Sequence, residues 1–385
     1  FLLKAGAQTM KVTVLQENLS RGLSTVSRAV SSRSTLPVLA NILIATDEGR
    51  LRLSATNLEL GITCWIGAKI EEEGSTTVPA RTLSDLVSTM PDPQVSLTLD
   101  TRTQTLNLRS GSSTNDIKGI DAQEFPPLPV PDFENSIQLN VADFKEMIQQ
   151  VAFASSTDEA RPVLMGVLLS VDKDTVTMAA ADGFRLSVRK ATLSTPAAQP
   201  VSAIIPARAL QELARIASDG EQAIQMVLPK GRGQVVFRVK DVELISQLID
   251  GTFPDYQQII PRSYKSRTLV PTASLLKACK QAEIFAREGT NVVRLNIKTS
   301  GDLQPGEVEI SAHSEETGSN ETIVEATVDG IPLLIAFNVK FLREVLEIVK
   351  TPNVAIETSA SNAPGVIRPV GDENFLHVIM PMHLG

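Results

Sequence analysis

The sequence predicts an α+β protein built from three repeats of about 127 residues. One phrase occurs twice, as "TVPARTLSDL" at Thr77–Leu86 and as "IIPARALQEL" at Ile204–Leu213, with its prolines 127 positions apart. Two alternating apolar segments joined by an acidic turn, Leu36–Asn57, are echoed at Arg161–Asp182, and this pattern is typical of a β-hairpin. Similarity at a fixed spacing indicates a repeated domain rather than one large core.

The repeat extends through the whole chain. "EFPPLP" around Phe125, "TFPDYQ" around Phe253 and "VIMPMHL" around Pro381 recur at nearly the same spacing. We therefore expect three domains, at residues 10–130, 131–261 and 262–385, with linkers at 125–133 and 253–267.

Each repeat is expected to contain two helices, because apolar residues recur there at helical spacing. A proline near the first turn of a helix removes no hydrogen bond, which suits both Pro-Ala-Arg copies. Asn338 and Ser274 are plausible N-caps. The six predicted helices are Leu15–Arg33, Pro79–Met90, Val141–Ser156, Pro206–Ser218, Ala273–Glu288 and Asn338–Lys350.

The composition is that of a globular protein, with 42% hydrophobic and 21% charged residues in 385. No apolar run approaches the roughly 20 residues that a membrane span needs. Two widely separated cysteines, Cys64 and Cys279, make a disulfide framework implausible and favour a reducing cytoplasm. Met10 is the expected natural start, and the nine residues before it are too short for a signal peptide.

Charge is distributed unevenly along this acidic chain. The net charge is −8, yet the six predicted helices together carry +4, counted from their Lys, Arg, Asp and Glu residues. A basic helical surface facing a polyanion fits this segregation. Solvated helix faces that simply collect Lys and Arg fit it too, and the count alone favours that second interpretation.

No common catalytic or metal-binding pattern is present. The three histidines, His313, His377 and His383, lack metal-ligand spacing with the cysteines, and no Cys-x-x-Cys occurs. Walker A and Gly-x-Ser-x-Gly motifs are absent, and "PKGRGQ" at Pro229–Gln234 fits a turn between strands better than a phosphate loop. "EEE" at Glu71–Glu73 fits a solvated turn better than a metal site. We expect no catalytic residue, metal or cofactor.

Several motifs in a fixed order resemble one family. "STLPVLANILI", "TVPAR", "RPVLMGVLL", "ADGFRL", "DGTFPDYQQIIP", "NVVRL", "FNVKFL" and "VIMPM" are similar to the marks of the bacterial DNA polymerase III beta subunits, the sliding clamps. The resemblance covers Met10 to Leu384. It implies a non-catalytic processivity factor that encircles duplex DNA and tethers the replicative polymerase and other replication and repair proteins.

The resemblance also implies a head-to-tail homodimer whose six domains form a ring lined by twelve helices. Twelve axes spaced about 10 Å apart would enclose a hole of roughly 28 Å, wider than a duplex of about 20 Å. Implied partners are double-stranded DNA of any sequence, a clamp loader, the polymerase and other proteins that carry a clamp-binding motif. No membrane partner is expected, and the implied location is the bacterial cytoplasm, at the nucleoid during replication.

On this fold the helix cations become candidates for backbone contacts with DNA, which carry no sequence information. Arg33 precedes "STLPVL", where the family places a basic residue. The full set is Arg21, Arg28, Arg33, Arg81, Arg208, Arg215, Lys277, Lys280, Lys340 and Arg343.

The resemblance further implies a peptide pocket between the second and third domains, in which flexible methionines accept varied partner side chains. Phe184 stands where the family often has a polar ring, and Gln258 where a basic residue can occur. The expected residues of this peptide pocket are Arg161, Leu164, Gly183, Phe184, Arg185, Leu186, Pro254, Ile259, Val378, Ile379, Met380, Pro381 and Met382.

The subunit seam is expected to pair the edge strand near Asn115–Ile120 with the third domain of the other copy. Asn115 takes a place where the family can carry an aromatic ring, and Ile117, Ile284 and Phe285 are the expected apolar anchors.

Two other classes of protein stay open from the residues alone. An enzyme of nucleotide metabolism would turn over a substrate, and a repeat scaffold that binds only proteins would be monomeric.

Overall fold

The computed structural model describes residues 9–31, 35–218, 220, 223–229, 231–299 and 305–383. Within these ranges the chain forms six α-helices and 24 strands. The helices are α1 (Gln16–Val26), α2 (Ala80–Ser88), α3 (Val141–Val151), α4 (Ala207–Ile216), α5 (Thr272–Ala286) and α6 (Val339–Ile348).

The strands are short and mostly alternate between buried and exposed residues. The first twelve are β1 (Lys11–Leu15), β2 (Asn41–Asp47), β3 (Arg50–Thr56), β4 (Leu60–Glu72), β5 (Ser75–Pro79), β6 (Gln94–Asp100), β7 (Thr105–Ser110), β8 (Ser113–Lys118), β9 (Ile137–Asn140), β10 (Gly166–Asp172), β11 (Thr175–Ala181) and β12 (Arg185–Thr192). The others are β13 (Val201–Pro206), β14 (Ala223–Val227), β15 (Gln234–Val239), β16 (Val242–Gln247), β17 (Ser266–Pro271), β18 (Val292–Lys298), β19 (Gly306–Ser314), β20 (Gly318–Gly330), β21 (Leu333–Asn338), β22 (Asn353–Thr358), β23 (Gly365–Pro369) and β24 (Phe375–Ile379).

These strands form two antiparallel sheets of twelve. One follows the order β8-β7-β6-β1-β4-β16-β15-β14-β9, with β2, β3 and β5 attached to it through β4. The other follows the order β13-β10-β11-β12-β24-β23-β22-β17-β20-β19-β18-β21. The chain divides into two compact units, Phe1–Val141 with Arg215–Leu248 and Ala142–Ala214 with Ile249–Gly385, and each unit contains one of the sheets.

The predicted fold class, α+β domains that carry two helices each beside antiparallel sheets, is confirmed. Both predicted hairpins are present, as β2–β3 and as β10–β11, and Thr46↔Leu51 pairs as Val171↔Val176 does. The three domain boundaries given above stay a prediction.

The ends of the helices depend more on capping residues and prolines than on where the helical spacing of apolar residues begins or stops. The predicted N-cap Asn338 is confirmed, since its side-chain oxygen accepts a hydrogen bond from the backbone N–H of Lys340. The N-cap prediction for Ser274 is wrong, because α5 begins at Thr272 directly after Pro271. The first helix ends at Val26 and tightens into a 3₁₀ turn at Ser27–Ala29, short of the predicted end at Arg33.

Each helix buries one stripe against its sheet. In α6 the buried residues are Val339, Leu342, Val345 and Leu346, spaced three or four apart. They meet α5 and the strands β18 to β22 in a core that includes Phe337 and Phe375, both fully buried. Each fully buried leucine or phenylalanine contributes about 1.5–3 kcal/mol of hydrophobic stabilisation. The rest of the helix surface carries polar residues together with the half-buried Phe341 and Ile348.

A buried glycine in β23 provides a test of how tightly this core is packed. A Cβ on Gly365 would lie 2.4 Å from Cζ of Phe337, which has no exposed surface. We expect Gly365→Ala to lower the free energy of unfolding by about 1–3 kcal/mol, since overpacking forces the ring or a strand to shift. Denaturant titration measures this change.

The matched control is Gly67→Ala in β4, where no atom lies within 4 Å of the added carbon. This control should unfold at the same denaturant concentration as the parent chain, or at a slightly higher one. Equal unfolding curves for the two alanine variants would contradict the packing described for Phe337.

Candidate nucleic-acid and peptide interfaces

Nine of the ten predicted DNA-contacting cations lie in the described residues, and Arg33 lies outside them. Eight of the nine are exposed, and Arg343 is half-buried. They are distributed as Arg21 on α1, Arg28 in the turn after it, Arg81 on α2, Arg208 and Arg215 on α4, Lys277 and Lys280 on α5, and Lys340 and Arg343 on α6.

The outward position of these cations follows from the buried stripes. In α2 the residues Ala80, Leu83 and Val87 are buried, so Arg81 projects into solvent with 94% of its side chain exposed. Its contact with Asp85, at 3.7 Å, joins two well-exposed groups and is worth little. Such a cation keeps its charge available for a phosphate.

The cations of α5 and α6 are less free, because carboxylates on the same two helices face them. The Arg343 guanidinium lies 2.6 Å from a Glu283 oxygen and 2.8 Å from a Glu347 oxygen, and Lys280 lies 3.1 Å from Glu347. Burial alone would lower the pKa of Arg343, but these carboxylates outweigh it and raise the pKa above its usual value. Arg343 is therefore the least suitable of the predicted set for a phosphate contact, and its assignment stays a prediction.

The residues predicted to form the peptide pocket are grouped around the antiparallel pair β12–β24. Leu186 pairs with Val378, and both side chains turn into the core, with Ile379 beside them. Two positions outward, Phe184 and Met380 are exposed, and the Met380 N–H donates to the Phe184 carbonyl at 2.8 Å. Phe184 lies on the same face of the sheet as Leu186, because the two are two residues apart. Position along the strands therefore divides the predicted residues, with a buried floor inside the strands and an exposed rim just beyond their ends.

This division corrects one part of the prediction. Leu186, Val378 and Ile379 have at most 1% of their surface exposed, so they shape the pocket from beneath and offer a partner almost no contact area. Leu186 and Val378 pack with Phe253 and with the half-buried Tyr256 and Ile260. Ile379 belongs instead to the core that includes Phe337 and Phe375. Pro254 and Ile259, on the same linker, remain exposed.

A tight turn, Asp182–Arg185, which we call the pocket turn, presents the rim. One Asp182 carboxylate oxygen accepts from the backbone N–H groups of Phe184 and Arg185, at 2.9 and 3.0 Å. Gly183 has φ +95°, a conformation that favours glycine. Arg161 Nη1 donates to the Asp182 carbonyl at 2.9 Å and would lie 3.0 Å from a Cβ at Gly183.

The remaining pocket residues are held by backbone bonds. The Leu164 N–H donates to the Arg161 carbonyl, and the Leu164 carbonyl accepts from Ser156. The Met382 N–H donates to the Ala336 carbonyl at 2.8 Å, which fixes the C-terminal segment beside β21. Pro381 and Met382 are half-buried.

Sequence reasoning missed the residues that surround Arg185. Its side chain is only 7% exposed, and its guanidinium donates to Asp182, to Glu344 on α6 and to the Phe153 carbonyl. It also lies over the rings of Phe153 and Phe341, 5.2 and 4.4 Å from their centroids. No sequence spacing signals this cluster, because Arg185 and Glu344 are 159 residues apart.

The first repeat reproduces the pocket turn but not its side chains. Asn57 accepts from the N–H groups of Glu59 and Leu60, Leu58 has φ +76°, and the Gln247 N–H donates to the Glu59 carbonyl at 2.8 Å. Glu59 and Gln247 thus stand where the second repeat has Phe184 and Met380. A shared backbone therefore gives a polar rim in one repeat and an apolar rim in the other.

Two open sheet edges correspond to the predicted seam. Strand β8, which contains Asn115 and Ile117, is the last strand of its sheet, but Ile117 is buried within its own unit and presents only backbone. Among the described residues, the β20 segment from Gly318 to Ala326 pairs only with β19. Ile284 and Ile323 are about half exposed, and Phe285 is half-buried on α5. Ile323 is an exposed apolar residue of this segment that was not among the predicted anchors.

No helix of the described residues is long and apolar enough to span a membrane. In the same residues, no group of three or more His, Cys, Asp and Glu side chains is arranged to hold a metal ion.

His377 belongs to the group of side chains around Arg185 and Phe153, and it is fully buried. Its Nδ1 lies 2.6 Å from Ser187 Oγ, and its ring stacks on Phe153 with centroids 5.4 Å apart. Burial, and then the nearby Arg185 charge, lowers the pKa of His377 from 6.5 to about 3. The unfolded chain therefore binds a proton here below pH 6.5, and the folded chain does not until about pH 3.

We expect the free energy of unfolding to fall as pH falls from 6.5 towards 5, by about 1.4 kcal/mol per pH unit from this residue. A His377→Asn variant cannot titrate here, so its unfolding free energy should depend less steeply on pH, as measured by denaturant titration between pH 5 and 7. His313→Asn removes an exposed histidine and should keep the parent slope. Equal slopes for all three proteins would contradict the neutral, buried state of His377.

Three family models match consecutive parts of the chain. Residues 10–129 match the N-terminal domain of the DNA polymerase III beta subunit, residues 138–255 its central domain and residues 257–383 its C-terminal domain.

Similar proteins match over nearly the full length. The beta sliding clamp of Synechococcus elongatus is 35% identical over 97% of this chain and 100% of its own, and that of Bacillus subtilis is 33% identical over 97% and 99%. The crystal structure of the Bacillus subtilis DNA polymerase sliding clamp superposes with a TM-score of 0.92 at 30% identity, covering 98% of this chain and 100% of that one. The Thermotoga maritima beta subunit gives a TM-score of 0.88 at 26% identity, with the same coverage.

Proposed function

Because this chain belongs to the family of DNA polymerase III beta subunits, we propose that two copies close head to tail into a ring around duplex DNA. The chain is a sliding clamp, a non-catalytic processivity factor of the polymerase. The observation that carries this conclusion is the set of three clamp-domain matches, in order, between residue 10 and residue 383.

The charge pattern supports a loose, sequence-independent hold on DNA. Each helix buries an apolar stripe and leaves cations such as Arg81, Arg208 and Lys277 exposed on its other face. Among the described residues, Arg208 and Lys277 have no ion-pair partner within 4 Å. Contacts of this kind reach phosphates and read no bases, which suits a ring that must slide.

The apolar rim of the peptide pocket supports docking of short partner segments. Phe184, Met380 and Ile259 expose apolar surface around a rigid floor, and flexible methionine adapts to different side chains. We assign this surface to the replicative polymerase, to the clamp loader and to other proteins that carry a clamp-binding motif. The location that follows from this role is the bacterial cytoplasm, at the nucleoid during replication.

Topological retention on DNA tests the ring directly. Clamps placed on a nicked circular duplex by a clamp loader should remain bound at about 200 mM salt, where direct phosphate attraction is weak. Cutting the circle once should release them, because a ring slides off a free end. Gel filtration separates DNA-bound from free protein and so measures the fraction that is retained.

Retention that is equal on cut and uncut DNA would contradict the ring, even if the chain bound duplex tightly. Absence of retention on both forms would favour a scaffold that binds only proteins.

The seam can be tested by a charge on its exposed anchor. Ile284→Asp would bury a carboxylate against apolar residues of the partner copy, so the interface should open rather than desolvate it. We expect folded monomers in sedimentation and unchanged circular dichroism.

Leu58→Asp provides the matched control, since Leu58 is 51% exposed and Ile284 is 53% exposed. Leu58 lies in the turn between β3 and β4 and belongs to neither of the two edge strands, so its variant should remain a dimer. A dimeric Ile284→Asp protein at nanomolar concentration would place the seam elsewhere.

A further inference from the structure

The carboxylate of Glu344 lies at a point where helix α6 meets the peptide pocket. One of its oxygens accepts from Arg185 Nη1, and the other lies 3.9 Å from Nζ of Lys340, one turn earlier on the same helix. Lys340 is one of the cations proposed to face DNA. The Glu344 carboxylate thus contacts both a cation on the surface of α6 and a residue of the pocket.

Arg185 needs this carboxylate because its charge is almost fully desolvated. Its Nε donates to Asp182 at 3.0 Å, its Nη2 to the Phe153 carbonyl at 2.9 Å, and its Nη1 to Glu344. The guanidinium lies over two aromatic rings and the side chain is only 7% exposed, so water has little access to it. Among the described residues, Glu344 is the one carboxylate outside the pocket turn that is bonded to this cation, and a buried cation that loses a counter-charge becomes costly.

The position of Arg185 in turn sets the geometry of the rim. Asp182 receives Arg185 Nε on one carboxylate oxygen, and on the other it receives the N–H groups that shape the pocket turn. The Phe184 carbonyl then pairs with Met380, and the Asp182 carbonyl pairs with Arg161. A displaced guanidinium would therefore disturb the rim side chains on both strands.

We propose that Glu344 is a positioning residue for the peptide pocket, which ties partner binding to helix α6 without contacting the partner. The inference rests on the proposed function of the pocket. It assigns a role to a residue that lies outside the pocket and on a helix proposed to face DNA.

The test compares two neighbouring carboxylates on α6. Glu344→Gln removes the charge beside Arg185, whereas Glu347→Gln removes an equal charge one turn away, beside Lys280 and Arg343. Fluorescence anisotropy with a labelled tail peptide of the replicative polymerase from the same bacterium gives the affinity. We expect about tenfold weaker binding for Glu344→Gln, since the amide oxygen can still accept from Arg185 but a neutral acceptor holds a buried cation about that much less strongly than a carboxylate does. Glu347→Gln should keep the parent affinity.

Two further measurements separate positioning from general loss of structure. The Nε–H resonance of Arg185 in NMR should shift in Glu344→Gln and not in Glu347→Gln, while both variants keep the parent melting temperature within a few degrees. Glu344→Asp keeps the charge and should bind peptide more tightly than Glu344→Gln.

Peptide affinity of Glu344→Gln within twofold of the parent would overturn the inference, as would equal losses in the Asp and Gln variants. Failure of the parent itself to bind the peptide would instead count against the proposed function of the pocket.

Discussion

A helix that packs on a sheet can bury only one of its faces, and this limit organises the protein. In α2 and α6 the apolar stripe is complete, with every third or fourth residue inside the core. The polar face must then point away from the sheet, whatever charges it carries. In this chain it carries arginines and lysines, although the chain as a whole is acidic. The basic surface proposed for DNA is thus a consequence of how the core forms.

The same backbone can serve two chemistries, as the two repeats of the pocket turn demonstrate. Asn57 and Asp182 make the same pair of side-chain bonds to the backbone, and Gln247 and Met380 close the same strand pair. Gly61 replaces the buried Leu186, and a Leu128 methyl lies 3.1 Å from the place of its missing Cβ. The linker of the first repeat therefore fills space that side chains of the second repeat fill themselves. The two repeats share the same backbone in this turn, and a few differences in side chain give the first a polar rim and the second an apolar rim.

The parts of the fold that depend on local pattern could be predicted from the sequence. The alternation of apolar residues predicted both hairpins, and their helical spacing predicted all six helices. The bounds were less accurate, since the first helix ends at Val26 and not at Arg33. The exposed cations of α2 and α4 follow from the same spacing. Exposure could not be predicted where distant contacts decide it. Ile117 and Leu186 have the same apolar character as Ile284 and Met380, and only packing makes the first two buried and the others exposed. The partner of Arg185 lies 159 residues away, so no local signal could identify it.

Site-directed cross-linking to DNA tests most directly that the helix faces, and not the sheet faces, meet the duplex. The two native cysteines are buried, and burial raises the pKa of Cys64 to about 11 and of Cys279 to about 12, so an introduced cysteine can be labelled selectively. A photoreactive group would be attached at Arg81→Cys on α2 or at Thr98→Cys, on the face of β6 opposite the buried Leu97 and Leu99. On clamps loaded onto circular DNA, the account predicts cross-links from position 81, equal for unrelated duplex sequences, and few from position 98. Stronger cross-linking from position 98 would contradict it.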